Sequence, residues 1–145
     1  MTQSIAKREG FEISADPARL DLDLVCGFLQ KSYWAQGIPR ETLEASIRNA
    51  LTFGVYEGKG AQVGFARVVT DRVRFAYLSD LFIVDAVRCR GLGRWLMETI
   101  FAFDGLGEVQ RWFLITRDGQ DFYRPFGFED APEGIVMLRS TVPEA

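Results

Sequence analysis

Val84-Asp-Ala-Val-Arg-Cys-Arg-Gly-Leu-Gly-Arg-Trp-Leu-Met-Glu-Thr-Ile100 (VDAVRCRGLGRWLMETI) is the stretch on which the reading of this chain turns. Ahead of it, Val73 to Val84 is a mostly apolar run broken by Arg74, Ser79 and Asp80, which predicts a long strand. Within it the period changes from strand to helix, because Leu92, Leu96, Ile100 and Phe103 share one helical face. The first N–H groups of that helix have no internal partner, and the helix dipole adds partial positive charge at the same end. Gly91 and Gly93 remove side chains there, and Arg88, Arg90 and Arg94 surround the spot with full positive charge. Together these form a cradle for a diphosphate. The bland alternative is a surface turn with solvated arginines, and the order strand, Arg-x-x-Gly-x-Gly, helix favours the cradle. Other phosphate loops do not fit: a P-loop needs Lys followed by Ser or Thr where Arg94-Trp95 stands. A dinucleotide fingerprint needs Gly or Ala where Leu96 stands, and normally opens the first strand–helix unit.

Outward from this turn, Phe11 to Ala15 alternates as a short strand, and Asp16-Pro17 breaks it. Leu20, Leu22, Leu24, Val25, Phe28 and Leu29 make a helical stripe. Ser32 to Pro39 is a loop carrying Tyr33 and Trp34, and Pro39 opens a second helix with Leu43, Ile47 and Leu51 on one face. Strands are predicted over Phe53–Glu57 and Gln62–Thr70 with a turn at Gly58-Lys-Gly60, then over Arg111–Thr116 and Gly134–Thr141. Gly105-Leu-Gly107 ends the helix begun at Leu92, and a short helix carries Phe122-Tyr123. Hairpins followed by a strand–helix–strand crossover predict one α/β (α+β) domain, residues 1–145, with a mixed, mostly antiparallel sheet of six to seven strands flanked by helices.

Bulk properties exclude several functions. A net charge of −3 favours neither nucleic acid nor an anionic membrane as partner. No run is long enough to span a bilayer, and Met1 to Glu12 lacks the apolar core of a signal peptide, so the cytoplasm is the expected location. The sequence contains no histidine, which removes Ser–His and Cys–His nucleophile schemes and histidine metal sites. Cys26 and Cys89 are too few for a disulfide framework or a zinc site, so no metal is expected. A general acid or base must be Asp, Glu, Tyr, Lys, Cys or a relayed water.

Arg88-Cys-Arg-Gly-Leu-Gly93 resembles the Arg/Gln-x-x-Gly-x-Gly/Ala signature of the GNAT (Gcn5-related) N-acetyltransferase superfamily. The likeness extends through "LSDLFIVDAVRCRGLG", similar to that superfamily's fourth strand and pyrophosphate loop. It continues to "FYRPFGF" (Phe122 to Phe128), similar to its Tyr-x-x-x-Gly-Phe segment, and the order of elements covers nearly the whole chain. The resemblance implies a GNAT-like fold and direct acetyl transfer from acetyl-CoA to an amine. The amides from Cys89 to Arg94 (Cys89, Arg90, Gly91, Leu92, Gly93 and Arg94), with Arg88, would hold the coenzyme's pyrophosphate. The backbone of Leu81, Phe82 and Ile83 would pair with the pantetheine arm like an added strand, and an amide there would polarise the thioester carbonyl. Thr116 stands where related enzymes often contact the pantetheine through asparagine.

An amine attacking a thioester must lose a proton, and the departing thiolate must gain one. Tyr123 occupies the position of the superfamily's tyrosine general acid; the alternative is a packed amphipathic tyrosine. Where relatives often carry an acidic pair, this chain has Ser79-Asp80. Strand alternation places Asp80 opposite to Ser79, so Asp80 acts through water, orients the amine, or is a structural hydrogen-bond acceptor. Cys89 lies by the pyrophosphate, far from the thioester, and reads as a bystander despite the cationic surroundings. Tyr33, Trp34 and Arg40 are candidate walls of the acceptor pocket, with Arg40 available to a carboxylate; a hydrophobic staple under the second helix explains them equally well. The resemblance implies N-acetylation of the primary amine of a small molecule, with monomer and homodimer both open. A non-catalytic acyl-CoA sensor and a protein N-acetyltransferase are the alternatives.

Overall fold

The computed structural model describes residues 4–58 and 60–142, in two compact units with the boundary between Leu114 and Ile115. The first unit is a six-stranded sheet in sequence order: β1 (Ser4–Arg8), β2 (Phe11–Ser14), β3 (Leu51–Glu57), β4 (Gln62–Thr70), β5 (Ala76–Ile83) and β6 (Trp112–Phe113). Neighbours are antiparallel from β1 to β5, and β6 runs parallel to β5 after the crossover helix α3 (Leu92–Ala102). This is the mixed, mostly antiparallel sheet that the hairpins and the single crossover require.

Between β2 and β3 lie α1 (Leu22–Gln30) and α2 (Arg40–Arg48). Asp21 starts α1 by accepting the Leu24 N–H at 3.1 Å, satisfying one of the helix's orphan donors. The two helices bury Val25, Cys26, Leu29, Leu43 and Ile47 against Phe65 of β4 and Phe82 of β5, with Phe28 stacked on Phe82 at 3.9 Å between ring centroids. Phe53 pairs with Ala66 and so points to the other face from Phe65. There it meets Phe103 edge-on at 5.3 Å, at the end of the helix whose Leu92, Leu96, Met97 and Ile100 are buried.

Several sequence expectations are corrected. β1 was not foreseen. The strand expected from Val73 begins only at Ala76, because the Asp71 carboxylate accepts the N–H groups of Val73, Arg74 and Phe75 and holds them in a turn. These three bonds also hold the Asp71 carboxyl below the usual carboxylate range. The buried strand expected over Arg111–Thr116 is only Trp112–Phe113, and Ile115 is 65% exposed. Beyond it the Thr116 hydroxyl accepts the Gly119 N–H at 2.9 Å, a local bond that competes with a ladder. No strand forms over Gly134–Thr141; Ile135, Val136, Met137 and Leu138 are exposed. An apolar run supplies the pattern of a strand, but a strand also needs a partner edge. The expected turn at Gly58–Gly60 includes residue 59, outside the described residues; Glu57 N–H to Ala61 O, 2.9 Å, closes the hairpin around it.

The second unit contains α4 (Gln120–Tyr123) and a following single turn, Arg124–Phe126, ended by Gly127 at φ +92°. Tyr123 is half-buried, edge-on to Phe122 at 4.9 Å and to Phe128 at 5.9 Å.

Candidate active site

Strand β5 ends at Ile83, and one turn of tight helix, Asp85–Val87, leads to Arg88. Two residues then take left-handed backbone, Cys89 at φ +65° and Gly91 at φ +74°. Glycine adopts this conformation without cost, whereas for a cysteine it costs on the order of 1 kcal/mol. Gly91 is the N-cap of α3, and the first helical bond runs from Trp95 N–H to Gly91 O at 3.0 Å. The amides of Leu92, Gly93 and Arg94 therefore precede the helical ladder and donate to no helical carbonyl. Among the described residues, a Cβ at Gly91 would meet only Arg8 Nη2, at 4.0 Å. The residues present fit a diphosphate: unspent donors and a positive helix end, with a glycine at the N-cap.

The surrounding arginines differ in what they do. Arg88 turns back, donating from Nε to the Ile83 carbonyl at 3.0 Å and pairing with Asp85 at 2.8 Å, so it braces the strand end. Arg94 lies 3.8 Å from Glu98, one turn along the helix, and is largely exposed. Arg90 is exposed. Sequence reasoning missed Arg8, which reaches over the Trp95 ring at 5.8 Å and adds a guanidinium beside Gly91. No local motif marks it, since its position depends on β1 joining the sheet. Cys89 is an exposed free thiol.

Upstream of the loop, β5 is paired on one side with β4 along its length, but β6 pairs only with Ala76 and Tyr77. From Leu78 to Ile83 no strand among the described residues pairs with that second edge. Leu81, Phe82 and Ile83 thus offer backbone groups to an added extended chain, apart from the Ile83 carbonyl engaged by Arg88.

The pairing of β4 with β5 slips between Phe65↔Phe82 and Arg67↔Ser79, so β5 carries an extra residue. Asp80 lies in this bulge at φ +60°. The bulge overturns the alternation argument that set Asp80 apart from Ser79's side. The Asp80 carboxylate, 8% exposed as a residue, accepts Trp34 Nε1–H on Oδ1 at 2.9 Å and Arg67 Nε–H on Oδ2 at 2.8 Å. It is thus a structural acceptor that ties the loop after α1 to the sheet. Trp34 keeps 42% of its surface exposed, and Tyr33 packs edge-on against it at 5.1 Å. Arg40 is not aimed at that cluster: it pairs with Asp23 at 2.5 Å and Glu44 at 2.9 Å on the exposed helix surface. Those carboxylates raise the Arg40 pKa further above its ordinary value. Thr116 and Tyr123 belong to the second unit, where the Thr116 hydroxyl holds the turn that starts α4.

Among the described residues no group of three His, Cys, Asp or Glu is placed to hold a metal ion, and no helix is long and apolar enough to cross a membrane. Residues 48–130 match the family model described as "Acetyltransferase (GNAT) domain". A solved protein from Xanthomonas campestris pv. campestris, assigned as a GNAT-family acetyltransferase, is 31% identical, with a TM-score of 0.87 over 95% of this chain and 97% of that one. A protein from Gibberella zeae, assigned as an acetyltransferase, is 28% identical over 87% of this chain and 83% of its own length. A Clostridium acetobutylicum protein solved with acetyl-CoA shares the fold at a TM-score of 0.64 and 13% identity, over 88% of this chain and 94% of that one. The strand, the left-handed turn and the helix whose leading amides are unspent are thus those of a known catalytic fold: the chain belongs to the GNAT acetyltransferase family and is an acyltransferase.

Proposed function

We propose that residues 1–145 form one catalytic domain that moves the acetyl group of acetyl-CoA directly to the primary amine of a small molecule. The observation that carries this reading is the pair of left-handed residues, Cys89 and Gly91, ahead of α3, whose leading amides, Leu92, Gly93 and Arg94, donate to no helical carbonyl. A pyrophosphate there satisfies those donors and meets the positive end of the helix. The unpaired edge of Leu81–Ile83 then takes the pantetheine arm, and a strand amide stabilises the oxygen that becomes negative when the amine attacks. Collapse breaks the carbon–sulfur bond; the amine's proton leaves to water, and the thiolate takes a proton from Tyr123. The assignment of Tyr123 rests on its place in the Phe122–Phe128 motif. Asp80, spent on Trp34 and Arg67, shapes the acceptor side rather than taking the proton.

The test is Gly91→Val. A β-branched residue at φ +74° is strained, and its side chain fills the approach to the amides. Calorimetry should show acetyl-CoA binding to the wild type with a dissociation constant on the order of micromolar, and none to the variant. Equal affinity of the two proteins removes the cradle.

A further inference from the structure

Arg67 is the one residue of the Trp34–Asp80–Arg67 cluster whose hydrogen-bonding capacity is largely unused. Its side chain is 17% exposed, and only Nε is engaged, by Asp80 Oδ2 at 2.8 Å. The two Nη groups carry four N–H donors that meet no acceptor among the described residues. A guanidinium held along its Nε edge by a buried carboxylate presents a rigid, planar Nη fork, the shape that takes a carboxylate in two parallel hydrogen bonds. Leaving that fork to stray water in a mostly buried place is unfavourable, because a partly desolvated charge gains most from an opposite charge.

The position of the fork narrows its ligand. Arg67 pairs directly with Ser79 on β5, and Phe65, two residues back, pairs with Phe82. Paired residues have Cβ atoms roughly 5 Å apart. The fork therefore opens beside the bulge, immediately before the three residues proposed to hold the thioester arm. Trp34, half-exposed and pinned by its own indole N–H to the same carboxylate, stands beside it with Tyr33 against its edge. An anion with a short arm to an amine and an apolar side group matches this set of neighbours. We infer that Arg67 is a specificity-determining residue that binds the carboxylate of the acceptor, so the acceptors are small amino acids carrying an apolar or aromatic side chain. The inference rests on the acetyl-CoA reading above and names the substrate class of that same site.

Matched acceptors that differ only in the carboxylate test it: phenylalanine against phenethylamine, and leucine against isoamylamine, by release of coenzyme thiol. The wild type should favour each amino acid by on the order of 100-fold in kcat/KM, the scale of losing one partner of a partly buried charge pair. Arg67→Lys keeps the positive charge beside Asp80, and so the fold, but loses the planar fork. It should collapse the preference, raising KM for the amino acids far more than for the decarboxylated amines. Equal turnover of the matched pairs by the wild type overturns the inference, as does an equal loss on both members in Arg67→Lys, or failure to acetylate any carboxylate-bearing amine. Calorimetry with acetyl-CoA alone separates the two layers. Absent binding sinks the coenzyme reading and this inference together, whereas intact binding without a carboxylate preference sinks the role of Arg67 only.

Discussion

Replacing Asp80 by Gly should leave a more stable protein than replacing it by Ala, the reverse of the usual order within a strand. Both substitutions remove the acceptors of Trp34 Nε1 and Arg67 Nε. Breaking a buried pair costs about 3–5 kcal/mol when the surviving charge is sealed in. Here Arg67 retains 17% of its side-chain surface and can recruit water, so the loss lies near the lower end, about 3 kcal/mol. The two variants then part on backbone conformation. Glycine in a strand normally costs about 0.5–1 kcal/mol relative to alanine. Asp80, however, sits at φ +60°, where an alanine side chain costs about 1–2 kcal/mol. The difference leaves glycine ahead by about 0.5–1 kcal/mol, or roughly 0.5 M in urea midpoint for an ordinary dependence on denaturant. Asp80→Asn keeps one acceptor and tolerates left-handed backbone, so it should fall between wild type and both others. Urea unfolding followed by tryptophan fluorescence and by circular dichroism gives the three midpoints. An alanine variant at least as stable as the glycine one refutes the bulge at Asp80. All three variants within about 0.5 kcal/mol of wild type, the range of an ordinary surface change, refute the buried cluster.

Tyr123→Phe should lower turnover while leaving acetyl-CoA affinity unchanged, because the ring and its packing persist and only the proton is lost; single-turnover rates beside calorimetry decide this, and equal rates remove Tyr123 from the chemistry. Tyr56 offers a separate check. Its hydroxyl is buried with no partner, the residue is 2% exposed, and the Arg19 guanidinium lies 3.9 Å from its ring centre. Burial pushes its phenol up to about 12. The folded protein therefore keeps this proton after the unfolded chain has released it near pH 10. Stability from this group is whole below pH 10 and declines by about 1.4 kcal/mol per pH unit as pH rises towards 12. Tyr56→Phe should abolish that decline and stabilise the protein at pH 7 by about 1 kcal/mol, since no hydrogen bond is lost. A variant less stable at pH 7, or with the same alkaline slope, contradicts the unpartnered hydroxyl.

What could be read in the sequence depended on how local its cause is. The loop Arg88–Gly93 announces itself because glycines, arginines and the change of period are contiguous. The bounds of β4 and the start of α3 at Leu92 were legible for the same reason. β1 was not, because Ser4–Arg8 is short and carries Lys7 and Arg8 on an edge, so it has little apolar pattern to detect. The late start of β5 came from one side chain, Asp71, capturing three amides. The run from Ile135 to Leu138 shows the converse failure: it has a strand's composition, yet no strand is formed there among the described residues. The contacts of Asp80 were beyond reach, since Arg67 and Trp34 stand 13 and 46 positions away and only the slipped register brings them together.

The same distinction separates the two halves of the reaction. In the proposed complex the donor's phosphates meet main-chain amides, whose placement demands residue types of particular backbone freedom, so the requirement is written into neighbouring positions such as Gly91 and Gly93. On the proposed reading the acceptor meets side chains drawn from β4, from the bulge of β5 and from the loop after α1, and no rule of backbone geometry fixes their identity. The backbone of that loop is held by Ser32 Oγ to Leu29 O at 2.7 Å and Gly37 N–H to Gln30 O at 3.0 Å, bonds that do not involve the tips of Tyr33 and Trp34. Changes at these tips can retune the acceptor while the cradle stays intact, so one phosphate-binding signature can serve many amines, and the choice among them is made where the sequence is least marked.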